Sequence, residues 1–292
     1  MEEILGQLFQ FDNYGELLVL VRNSIIAGAV LGLAGGLIGV FVMARDMAFA
    51  VHAVSELSFA GAAAGLLLGA GVVAGSLAGS LAAALLIGLL GSRARDRNSI
   101  IAVLMPFGLG LGILCLALYS GRAANKFGLL TGQIVAVDNP RLEALLVICG
   151  IVIVGLLVVW RPLTFLSIDA QVAEARGVPR LPLSIFFMVL LGLAVAVSVQ
   201  IVGSLLVLSI LVTPAAAALR VSASPLLVPL LSAAFAVVSM VGGIMLALGG
   251  SVPISPYVTT LSFLIYLVCR GVGRWRERSY GAQRQHELTA VS

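Results

Sequence analysis

The chain has 292 residues, of which 61% are hydrophobic and only 10% charged, with 17 Lys+Arg against 13 Asp+Glu and a mean hydropathy of +1.15. Soluble domains carry about 25% charged residues, so this composition excludes a water-soluble globule. At about 20 residues per membrane-spanning helix, it holds eight or nine spans with short loops and leaves no room for a soluble domain of ~100 residues.

In chain order, residues 1–19 open on Met1-Glu2-Glu3 and predict an interfacial or external segment. Acids stand where a cleaved signal peptide needs a basic region, so no such signal is expected. Apolar segments follow at 20–44, 47–69, 71–91, 99–120, 142–160, 181–200, 202–219, 226–249 and 253–271. Arg93, Arg95 and Arg97, the stretch from Arg161 to Arg180, and a tail with Arg270, Arg274, Arg276, Arg278 and Arg284 carry most of the cations. Such clusters read as topology signals for the cytoplasmic side, not as nucleic-acid contacts. The first span then runs inward, the 121–141 loop lies outside, and the C-terminus is cytoplasmic. Nine spans with the N-terminus outside satisfy this; eight is the count if 202–219 only dips into the membrane. Residues 20–271 are expected to form one integral domain, and 272–292 a basic, disordered tail.

Most of the 33 glycines fall inside spans, where small residues let helix backbones approach closely, and Gly32 with Gly36 marks one contact face. Cys115, Cys149 and Cys269 are isolated in apolar runs and read as packing residues. The one lysine, Lys126, lies in no GxxxxGK[ST] loop, which rules out ATP hydrolysis by that route. No HExxH motif and no serine or aspartate pair suggests catalysis, so the chain is read as a non-enzyme.

His52 and Glu56 stand out, because the run from Met47 to Gly61 is apolar on both sides of them. Their i,i+4 spacing puts both on one helix face. A carboxylate at membrane depth costs several kcal/mol unless paired or solvated, so it marks a functional hypothesis. Three readings stand open: a hydrogen-bonded pair knitting two helices, a proton relay, or a transition-metal station. Imidazole plus carboxylate suits Zn²⁺ and also Mn²⁺, and two copies of the helix on a dimer axis would offer four ligands. The segment 163–179, with Asp169, Glu174, Ala175, Arg176 and Gly177 before Pro179, predicts a short polar cytoplasmic helix. It is either a solvated connector or a docking helix. Pro214 in the 202–219 segment predicts a kinked helix followed by four small alanines.

At these three places the sequence resembles the permeases of bacterial zinc and manganese ABC importers, which have the type II importer fold. The family's R-x-M-x-F-x-G-D-A-x-x-H-x-x-L-P-G stretch matches Arg45, Met47, Phe49 and Gly61 in register. Its Asp then falls on His52 and its His on Glu56, the same two ligand types in reversed order, while Phe59-Ala60 departs from Leu-Pro. Gly203-Ser-Leu-Leu-Val207 through Pro214-Ala-Ala-Ala-Ala218 is similar to the family's G-x-L-L-V-x-x-x-L-x-x-P-A-A-x-A. Glu174-Ala-Arg-Gly177-Val-Pro179 looks like the end of its coupling helix, and Gly132 to Asp138 like an external G-S-I-L-x-V stretch. Ser251-Val-Pro253 lacks the acid of the usual Asp-x-Pro. The likeness covers about residues 20–271.

The resemblance implies an all-α, multi-pass permease of the bacterial inner membrane, working by alternating access as a homodimer. It implies two separate ATP-binding subunits gripping the coupling segment and an extracytoplasmic solute-binding protein delivering the metal. His52 and Glu56 would be the metal gate, with Pro214 breaking a helix near the pathway. Because imidazole and carboxylate in a small dimeric site suit tetrahedral Zn²⁺, the cargo is expected to be Zn²⁺ ahead of Mn²⁺, with no permanently bound cofactor. The rival reading is a proton-coupled secondary transporter with His52 and Glu56 as relay, which should carry more than one membrane acid; this chain has one.

Overall fold

The structure, a computed structural model, describes residues 21–91, 94–121, 129, 137–204, 206–248 and 254–291, with side chains as far as Arg276 apart from those of 94–96. The expected interfacial segment 1–19, most of the 121–141 loop and Ser251-Val-Pro253 lie outside the described residues. All regular structure among the described residues is helical: α1 Arg22–Ala44, α2 Ala48–Leu68, α3 Val72–Leu90, α4 Ala94–Leu118, α5 Asn139–Val158 and α6 Trp160–Ile168, then α7 Ala170–Ala175, α8 Arg180–Val202, α9 Val207–Leu211, α10 Thr213–Val221, α11 Leu227–Ala247 and α12 Ile254–Val291.

Eight of these helices are long and apolar enough to cross a membrane, and α9 with α10 forms a shorter apolar pair. Packing fixes their directions. Asn23 at the start of α1 donates from Nδ2 to the Val137 carbonyl at 3.2 Å and to Asn139 Oδ1 at 2.8 Å, so α1 and α5 begin on one face. Arg45, just past the end of α1, donates from Nη2 to Ser184 Oγ at 2.6 Å, so α8 begins on the opposite, basic face. Gly28 lies against Met240 and Ile244, and Gly36 against Ser232 and Ala233, so α11 runs antiparallel to α1 and also begins on the basic face. The chain between α8 and α11 must therefore return across the membrane. The α9–α10 pair makes that ninth passage in pieces, which satisfies the charge pattern with the C-terminal end cytoplasmic.

Local sequence explains the ends. Asn139-Pro140 opens α5 with proline at its first turn, where a missing N–H is harmless. Gly69, at φ 71°, closes α2 in the left-handed region. Asp46, at φ 52°, makes the three-residue turn from α1 to α2 in a conformation that short polar side chains tolerate.

Glycine decides how closely the site's helices pack. On the antiparallel pair α2 and α3, a Cβ on Gly61 would strike the Gly75 carbonyl, one on Gly65 the Gly71 carbonyl, and one on Gly79 the Leu57 carbonyl. The two backbones touch without a layer of side chains between them. On α4, Gly108 sits over the backbone of Glu56 and Leu57, and Gly112 over Phe59.

Three expectations change. The 163–179 segment is two helices, α6 and α7, because Asp169 leaves the helical region at φ −146° and caps α7. The 202–219 segment is no single kinked helix: Gly203 turns at φ 85°, helix resumes only at Val207, and it breaks again at Val212 ahead of Pro214. Finally, α12 continues as one helix through Val291 where a disordered tail was expected from 272. Residues 272–291 hold no proline and are rich in Arg, Gln, Glu and Ala, which extend a helix already nucleated in the membrane.

Candidate metal gate and coupling segment

Helix α2 lies at the centre of the chain, packed by α3, α4, α8 and α9. Glu56, halfway along it, is 3% exposed. His52 Nε2 stands 3.7 Å from Glu56 Oε1, beyond hydrogen-bond length, and its side chain is 30% exposed. His52 Nδ1 and Glu56 Oε2 are buried without a partner. The expected pair is therefore in place, but it does not satisfy itself, and neither atom knits α2 to a second helix. Ala48, Phe49 and His52 form a strip of α2 left partly open beside the pair.

Serines tie this helix to the broken passage. Ser55 Oγ–H donates to the Ser204 carbonyl at 3.0 Å, and Ser204 Oγ is itself buried without a partner. Further along, Ser58 Oγ and Ser76 Oγ lie 2.7 Å apart, and Ser76 donates to the Ala196 carbonyl at 3.1 Å. Helix α2, α3, α8 and the start of the ninth passage thus share one buried polar seam. Pro214 lies in the first turn of α10, buried; α9, not α10, carries that passage against α2. No group of three or more His, Cys, Asp or Glu side chains able to hold a metal ion occurs among the described residues. His52 and Glu56 are thus the two candidate ligands that one chain supplies here.

The residues expected to couple to an ATP-binding subunit form a separate, exposed group. Asp169 accepts from the Gln171 and Val172 amides at 2.9 and 3.0 Å, which satisfies the free N–H groups that open α7. Arg176 caps the other end, and Gly177, at φ 82°, turns the chain into α8. Asp169, Glu174, Ala175, Arg176 and Gly177 are all exposed. Sequence reasoning missed Ile168 and Val172, which are 79% and 44% exposed on this segment outside the spans. Two apolar residues at i,i+4 astride the cap were the signal. It also missed Gly108 and Gly112, a small-xxx-small pair on α4 whose function is to bring that backbone onto Glu56.

Comparison with known proteins places the chain. The sequence model of the ABC 3 transport family matches residues 18–272. The chain belongs to the ABC 3 transport family. Among curated relatives of this metal-ion ABC transporter permease is the manganese transport system membrane protein MntC of Halalkalibacterium halodurans, 28% identical over 225 residues, 77% of each chain. The high-affinity zinc uptake system membrane protein ZnuB of Haemophilus influenzae is 24% identical over 246 residues, 84% of this chain and 94% of its own. The solved structure of PsaBC from Streptococcus pneumoniae in complex with Fab matches with a TM-score of 0.81 at 23% identity, covering 92% of this chain and 100% of that one. The fold is that of an ABC importer permease, a multi-pass protein of the bacterial cytoplasmic membrane.

Proposed function

We propose that this permease passes a divalent transition metal inward through a pore shared by two copies, with His52 and Glu56 as the gate and ATP hydrolysis supplied by separate subunits. One observation carries the reading: a carboxylate 3% exposed at membrane depth, beside an imidazole, with a buried oxygen left unpartnered. A charged side chain such as Asp at a helix centre costs roughly 2.5–3.5 kcal/mol on insertion scales, and a merely structural acid would be fully bonded. Two copies bring two imidazoles and two carboxylates, enough to strip an ion of water and few enough to release it.

Zinc stood first on the residues, since four such ligands suit tetrahedral Zn²⁺. The relatives' names lean the other way: MntC of Halalkalibacterium halodurans and ScaB of Streptococcus parasanguinis are manganese systems and ZnuB a zinc system. We take manganese as the first cargo and zinc as the second. Carboxylate oxygens suit Mn²⁺, and the gate is half carboxylate.

The ATP-binding subunits dock on α6–α7, gripping exposed Ile168 and Val172 within the ring of Asp169, Glu174 and Arg176, and the metal arrives from an extracytoplasmic binding protein. Closure of the ATP-binding subunits pushes α8 and the α1–α2 turn, which meet at Arg45 and Ser184. The proton-coupled rival gains no support from membership of an ABC transport family. Uptake of radioactive manganese and zinc by vesicles holding the reconstituted complex tests the reading. ATP-dependent accumulation of either ion is expected, and accumulation without ATP would sink it.

A further inference from the structure

A second concentration of unmet polar groups lies on the basic face, away from the gate. The end of the α1–α2 turn, the ends of α3 and α4, and the start of α8 enclose a cavity of about 310 Å³. Arg45, Arg97 and Arg180 converge on it from three separate helix ends, with Ser184 beside them. Arg45 uses Nη2 on Ser184 Oγ at 2.6 Å and lays its guanidinium over the Phe187 ring at 5.1 Å, which leaves Nη1 buried with no partner. Arg97 uses Nη2 on the Arg45 carbonyl at 3.3 Å, which leaves Nε buried with no partner. Among the described residues the nearby acids are Glu174 on the rim and Asp46 on the turn. Among the described residues neither comes within ion-pair distance of the three arginines.

Three guanidiniums line this one cavity at a membrane face, two of them with a buried N–H group unused, and their like charges oppose one another. Burial first, and the charges of Arg97 and Arg180 next, push Arg45 down to about 10, so it stays cationic at neutral pH and the repulsion persists. An oxyanion relieves it. Guanidinium forks match phosphate oxygens, each group offering several N–H donors in a fixed plane.

We propose that this cavity is a site for a phosphate group, borne by an anionic phospholipid of the cytoplasmic leaflet or by free phosphate. The apolar part of the lining favours the lipid. Met47, Ile87, Leu181 and Met188 complete the wall, and Leu89 and Leu90 at the end of α3 are exposed. A headgroup phosphate can rest on the arginines while its acyl chains run along this surface, the arrangement of basic pockets between helices on the cytoplasmic side. The bound group would bridge the α1–α2 turn, α4 and α8. The site is independent of the metal gate and would survive the failure of that reading.

The test uses the permease purified with its accompanying subunits. In one arm, native mass spectrometry reads retention of phosphatidylglycerol against phosphatidylcholine. In the other, thermal unfolding is followed with inorganic phosphate against chloride at equal ionic strength. Preferential retention of phosphatidylglycerol is expected, weakened about fivefold by Arg180→Gln on the exposed rim. Arg45→Gln should weaken it at least as much, and Arg180→Gln keeps the test valid if Arg45→Gln fails to fold. Stabilisation by inorganic phosphate alone, lost in Arg180→Gln, supports the site with a soluble source. Equal retention of both lipids without a phosphate response overturns the proposal, as does an Arg180→Gln protein that binds like the parent. Binding seen only after the ATP-binding subunits are stripped away assigns the cavity to an acidic protein side chain and also overturns it.

Discussion

Glu56 is the residue on which the functional reading turns, and its chemistry can be separated from its shape. Glu56→Gln keeps size and hydrogen-bonding capacity while removing the charge, so a knitting role would leave it nearly neutral. The metal gate predicts loss of manganese and zinc uptake with normal amounts of folded protein, read by radioactive uptake alongside size-exclusion profiles. The exchange His52→Asp with Glu56→His restores the family's ligand order on the same helix face. It should retain measurable uptake, with a shifted manganese-to-zinc ratio. Unchanged uptake by Glu56→Gln would remove the gate from this pair.

Single elements carry two more expectations. Gly177 holds φ 82°, which a β-branched side chain resists, so Gly177→Val should distort the exit from α7. Ile168→Asp changes only an exposed side chain and cannot disturb the fold by packing. Both should leave the permease in the membrane while breaking the link between transport and ATP hydrolysis, measured as transport-stimulated ATPase activity in the reconstituted complex. Full stimulation in both would return α6–α7 to the role of a plain connector. In the α2–α3 pair the direction is reversed: Gly61→Leu should unfold the protein before it alters chemistry. Overpacking alone costs about 1–3 kcal/mol, and here the new atoms meet a backbone carbonyl that cannot move aside. A fall in thermal midpoint with little change in per-molecule uptake is the expected signature.

At the scale of the whole chain, the nine passages can be checked with single cysteines after replacing Cys115, Cys149 and Cys269. Ala223→Cys, past the end of α10, should react with an impermeant maleimide only from the cytoplasmic side, and Gly121→Cys only from outside. Labelling of both from one side would contradict the broken ninth passage. Most of this architecture was legible, because long apolar runs and arginine placement are set by the bilayer alone. The segment 20–44 became Arg22–Ala44, and 71–91 became Val72–Leu90. The two interrupted elements were not, since hydropathy is blind to backbone breaks between apolar residues. Their signals were present but local: Asp169 as a cap between two helices, and Thr213-Pro214 as a helix start. The His52–Glu56 pair was legible from spacing; its missing partners were not, because only packing shows which donors stay unused.

The glycine contact between α2 and α3 also constrains how the proposed gate can move. Where two helices meet carbonyl to Cα, there is no cushion of rotamers to absorb sliding, so the hairpin behaves as one stiff lever. Its neighbour on the other side is jointed, with a bend at Gly203 and a second at Val212. Under the proposed function, a stroke from the cytoplasmic face would reach Glu56 as a tilt of the whole lever, and the slack would be taken up in the jointed passage. A disulfide pinning α2 to α3 should leave turnover intact, while one clamping α9 to α1 should stall it.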